Sequence, residues 1–178
     1  MRILKLLLPV FAVLAMTACQ RVPGERSVDI TRSAFANVNP ALPAGWEPVS
    51  RRNAIGFTCP IRRCQQPGAI IYAARQSPLD MEDSVRRRII SAALLQEVGK
   101  SIFRASNGQL NQTSVRDITN SKTAGFEHVF SMRQGIVTTH GVGRTIYTGG
   151  EMRYIIAIGM TPNDARRFMR IALAGMGR

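Results

Sequence analysis

No stretch of this 178-residue chain is apolar for long enough to cross a bilayer as a helix, which takes roughly 20 consecutive residues. Acidic residues are scarce, 11 against 24 lysines and arginines, giving a formal net charge of +13. Histidine occurs only as His128 and His140, tryptophan only as Trp46, and cysteine only as Cys19, Cys59 and Cys64. A Gly-x-Ser-x-Gly elbow, a phosphate-binding glycine loop ending in Lys-Ser/Thr and a His-Glu-x-x-His zinc helix are all missing, which removes the usual signatures of several hydrolase classes. Gly141-Val142-Gly143 lacks the third glycine and the strand-to-helix setting of a nucleotide loop. Asp80, Glu82 and Asp83 cluster where a helix should open, and the helix dipole accounts for them without acid/base chemistry. No catalytic residue, cofactor or resident metal is therefore expected. No fixed-period repeat appears, so solenoids and propellers are set aside.

The first 18 residues form three blocks: Arg2 and Lys5, an apolar stretch from Leu6 to Leu14 interrupted by Pro9, and small residues before Cys19. That order is the one of an export signal. Its end, Met16-Thr17-Ala18-Cys19, resembles the lipobox of bacterial lipoproteins, which implies acylation (palmitate included) at Cys19 and a membrane anchor facing the periplasm. A plain secreted protein with an incidental cysteine is the alternative. Gln20 rather than Asp follows the cysteine, which by the same resemblance implies the outer membrane.

Residues 19–40 carry Pro23, Gly24, Asn37, Asn39 and Pro40 without a sustained apolar period and read as a flexible tether, with room for a short strand or turn near Val28 to Phe35. Residues 41–178 read as one α+β domain. Pro43-Ala44-Gly45-Trp46 is a turn presenting Trp46, read as a core or lid residue rather than a ligand-stacking one. Ala54–Thr58 and Ala69–Ala74 form a hairpin around a constrained loop. Ser77-Pro78-Leu79-Asp80 opens a single long helix running to about Ala105, with apolar residues spread widely enough to suggest broad burial. Thr113–Thr119, Gly125–Arg133, Ile136–Thr148 and Glu151–Met160 alternate as antiparallel strands, the last two joined by Gly149-Gly150. Gly141 and Gly143 mark a bulge or bend in the third of these. Thr161-Pro162-Asn163-Asp164 caps a final helix with Ala165, Phe168, Met169, Ala172 and Met176 on one face and Gly177 as its stop.

The Pro43-Ala44-Gly45-Trp46 opening, with the run Arg153-Tyr154-Ile155-Ile156-Ala157-Ile158 ahead of the Thr161 cap and closing helix, resembles the Mog1/PsbP-like superfamily, including bacterial lipoproteins of the DcrB type. The resemblance implies an antiparallel sheet packed with a long helix and a C-terminal helix, serving in binding or assembly. It carries no role to a particular residue.

Loss of Arg2 and Lys5 with the signal leaves 22 basic against 11 acidic residues. The arginines cluster at Arg62 and Arg63, at Arg86, Arg87 and Arg88, and at Arg166, Arg167 and Arg170. Their planar forks suit phosphate or carboxylate, so an anionic lipid, a glycan or an acidic envelope protein is a candidate partner. Nucleic acid is excluded by address. The plainer reading has these arginines solvated, with Glu82–Arg86 and Asp83–Arg87 as local i,i+4 pairs. Once Cys19 is acylated, Cys59 and Cys64 remain as an even pair in an oxidising compartment, where a disulfide is expected. Two reduced thiols, free or metal-bound with His128 and His140, are the alternative. Three functions stay open: a non-enzymatic envelope lipoprotein that binds or scaffolds another component, an anionic-ligand binder, and a thiol or metal enzyme.

Overall fold

The computed structural model describes residues 27–51, 53–60 and 62–176. The export signal, Cys19 and Gly177 lie outside them. In chain order the elements are α1 (Ser27–Ala34), β1 (Glu47–Arg51), β2 (Ala54–Cys59), β3 (Gly68–Gln76), α2 (Met81–Arg86), α3 (Ala92–Ala105), β4 (Leu110–Asp117), β5 (Ala124–Gln134), β6 (Val137–Thr148), β7 (Glu151–Gly159) and α4 (Pro162–Ala174). The seven strands make one sheet in the order β1-β2-β3-β7-β6-β5-β4, every pairing antiparallel.

Side-chain alternation divides the sheet into two faces. Ile70, Tyr72 and Ala74 of β3, Ile155 and Ala157 of β7 and Val142 of β6 bury against Ala165, Phe168, Met169 and Ala172 of α4. The spacing of those four α4 residues puts them on one stripe, as helical periodicity requires. Thr161 caps α4 by accepting from the Asp164 amide (3.1 Å) while the Asp164 carboxylate accepts from Thr161 N–H (3.1 Å), satisfying two otherwise orphaned donors. Tyr72 donates its hydroxyl to the Ala172 carbonyl at 3.0 Å, and burial pushes its pKa up to about 12. Trp46 packs edge-on against Phe168, ring centroids 4.8 Å apart, at the margin of this core.

The stretch from 27 to 40 is not a tether. Its first part is the helix α1, and Thr31 and Phe35 are buried. The reason is tertiary: β2 ends before β3 does, leaving Ala74 with an unpaired amide and carbonyl, and the Thr31 hydroxyl accepts from the first and donates to the second, both at 3.0 Å. Asn39 N–H then donates to Gly175 O at 2.9 Å, fastening the segment to the end of α4.

The expected long helix is also two. Arg88 takes a left-handed φ of 59°, which ends α2, and Ser91 restarts the chain by accepting from Leu94 N–H at 3.2 Å as the N-cap of α3. Ser77 is not the cap of α2. That position falls to Asp80, which makes no side-chain capping bond. Broad burial does not follow either: Leu94, Val98, Ile102 and Phe103 of α3 are 40–50% exposed. Gly141 and Gly143 sit in unbroken ladders on both sides of β6, so neither marks a bulge. The register shift lies in β4, between Gln112 and Ser114.

Candidate functional site

Helices α2 and α3 lie on the second face. Val85 of α2 buries with Ala124 and Phe126 of β5, joined by Ile90, Leu95, Val115 and Tyr147. The β4 shift decides what α3 meets. One extra residue reverses the alternation, so Leu110 and Gln112 before it and Val115 after it all serve the helix side. Helix α3 rests mainly on edge strand β4, and the sheet beyond it stays open. Between them is a cavity of about 340 Å³, walled by Ile102, Gln112, His128, Phe130, Tyr154 and Ile156 among others.

Two glycines admit side chains that wall the cavity. A Cβ on Gly99 would come within 2.1 Å of Gln112 Nε2, and one on Gly141 within 2.2 Å of the Phe130 ring. Gln112 therefore fills the space beside Gly99, and the tip of the Phe130 ring fills that beside Gly141. Gln112 Nε2 donates to Leu95 O at 2.8 Å, and its Oε1 faces His128 Nδ1 at 3.1 Å. Burial lowers the His128 pKa, keeping the ring neutral near pH ~7. Tyr154 donates to Met152 Sδ at 2.8 Å, and its pKa is raised by burial. This wall is mostly apolar, and the Gln112 amide and the Tyr154 hydroxyl are committed within it.

The cysteines are elsewhere. Cys59 and Cys64 stand at disulfide distance, with Cα atoms 5.9 Å apart, within the span a bridge allows. Gly45 explains the turn that covers them: its φ is 89°, and a Cβ there would lie 3.0 Å from Cys64 Sγ and 3.4 Å from Cys59 Sγ. The register sets His140 opposite Gly159, Gly159 opposite Gly68 and Gly68 opposite Cys59, so His140 is three strands, roughly 14 Å, from the cysteines. The two histidines and the cysteine pair do not form one ligand set, and among the described residues no cluster of three His, Cys, Asp or Glu side chains is placed to hold a metal.

All eight arginines singled out from the sequence are exposed. Arg86 pairs with Glu82 at 2.9 Å and Arg87 with Asp83 at 3.3 Å. The Arg86 hydrogen bond and the amide of Gly149, 3.0 Å from the other carboxylate oxygen, hold Glu82 below the usual carboxylate range. Arg63 and Arg167, which come from opposite ends of the domain, line one polar cleft of about 530 Å³ with Trp46 and Cys64. Arg63 pairs with Glu47, and Arg167 donates to Gln66. Arg62, Arg88, Arg166 and Arg170 do not line this cleft.

No family model and no curated protein matches the chain. Among solved structures it is similar to the solution structure of cyanobacterial PsbP (CyanoP) from Synechocystis sp. PCC 6803. The TM-score is 0.51 at 12% identity, over 75% of this chain and 82% of that one. The likeness is one of fold, and the fold is the α+β, Mog1/PsbP-like sandwich that the closing strand and helix imply.

Proposed function

We propose that this protein is a non-enzymatic, periplasm-facing lipoprotein, anchored through Cys19, that binds an apolar cell-envelope component in the cavity beneath α3. The observation that carries the reading is the cavity itself: about 340 Å³ of ligand-sized space, lined by Ile102 of α3, a helix that also exposes Val98 and Phe103. A run of exposed apolar side chains on the helix that roofs a concave site favours a binding role. An apolar naphthylamine dye tests it. The dye should brighten on the full-length Cys19→Ser chain and much less on the same chain carrying Ile102→Asp. Because Ile102 is 43% exposed, that change should leave thermal unfolding nearly unaltered. Equal brightening on both chains would remove the cavity from the reading.

The convergence of Arg63 and Arg167 on one cleft favours a second reading, an anionic-ligand site. Association with anionic vesicles should then weaken steeply as salt rises, and Arg63→Gln with Arg167→Gln should flatten that dependence. Absence of binding at low salt would dismiss it.

A further inference from the structure

The cavity beneath α3 has one polar group whose hydrogen-bonding role is fixed. Gln112 can donate to Leu95 O (2.8 Å) only through its amide nitrogen, which leaves its oxygen toward His128 Nδ1 at 3.1 Å. An acceptor there requires Nδ1 to carry the proton. In the neutral ring Nε2 is then a bare lone pair, and it has no partner among the described residues. The other polar groups do not contradict this. The Tyr154 hydroxyl is spent on Met152, the Arg144 side chain lies on the α4 side of the sheet, where its Nε donates to Glu127 at 2.8 Å, and the Thr145 hydroxyl can rotate to either role.

From this arrangement, and resting on the cavity as the binding site, we infer that the ligand is an uncharged aliphatic molecule with one hydroxyl or amide N–H, which it donates to His128 Nε2. A carboxylate or phosphate would set oxygen lone pairs against the nitrogen lone pair. An ammonium would be stripped of water among apolar walls with no carboxylate in the lining. A wholly apolar molecule would displace any water on Nε2 without replacing its hydrogen bond. At about 30 Å³ per heavy atom, the cavity holds about eleven, the size of a ten-carbon alcohol.

Decanol and its methyl ether share chain and dipole but only the alcohol has a donor. Calorimetric titration of the full-length Cys19→Ser chain with decanol, decyl methyl ether and decanoate should find decanol tightest. Loss of one buried hydrogen bond predicts about tenfold weaker ether binding. His128→Phe should bring alcohol and ether level. The ligand comparison on unaltered His128 decides the matter even where that variant fails to fold. Alcohol and ether binding equally, or decanoate binding best, would overturn the inference while leaving the cavity a binding site. Binding of none of the three would overturn both.

Discussion

Glu127 sits on the α4 side of β5 between Arg116 and Arg144, each 2.8 Å away, with its side chain 15% exposed. Burial pushes its carboxyl up, but the hydrogen bonds and charges of Arg144 and Arg116 outweigh that and hold it below its ordinary 4.5. A depressed folded-state value means that the stabilisation is present above 4.5 and lost as pH falls through the folded value. Glu127→Gln should therefore lower the unfolding free energy by about 1–2 kcal/mol near neutral pH, and chemical denaturation should show the gap closing as pH falls well below 4.5. A gap constant with pH would mean that the carboxylate charge contributes nothing. Gly99 makes a second case. Gly99→Ala gains about 1 kcal/mol of helix propensity, yet the new Cβ would strike Gln112 and break its bonds to Leu95 and His128. The net should be a loss of about 1 kcal/mol. Gly99→Ala with Gln112→Ala should be more stable than Gly99→Ala alone.

At the level of elements, the meander β4–β7 and the box-capped α4 were legible because each is local: alternation, a Gly-Gly turn with both φ values positive, and a cap four residues long. The break between α2 and α3 was not. Their apolar residues run on in helical period through Ser91, and nothing in the sequence announces that Arg88 turns left-handed. Helix α1 was missed because its burial depends on an unpaired β3 backbone group more than 40 residues away. The cavity draws on α3 and four strands, so periodicity in any one of them could not show it; the only local signals were glycines in the interior of a helix and a strand. The β2–β3 loop is better specified. In periplasm-expressed protein alkylated before reduction, Cys59 and Cys64 should both escape labelling, and quantitative labelling would disprove the bridge. Reduction should cost about 2 kcal/mol at most, since the closed loop is short.

For the whole molecule, the anchor is the first thing to test. Cys19→Ser should abolish lipid labelling and release the protein from the membrane fraction; unchanged labelling would reject the lipobox reading. The position of α1 then matters in a way that belongs to geometry rather than stability. A free linker from residue 19 to residue 40 could extend about 75 Å at roughly 3.5 Å per residue. With α1 docked from Ser27 onward, only eight residue steps separate it from Cys19, a leash of about 28 Å at most. If Cys19 carries the proposed lipid, a domain on so short a leash samples a thin layer of space above its own bilayer, at a correspondingly high local concentration. On the proposed anchoring at Cys19, it would be suited to receive what that membrane releases rather than to shuttle across the compartment.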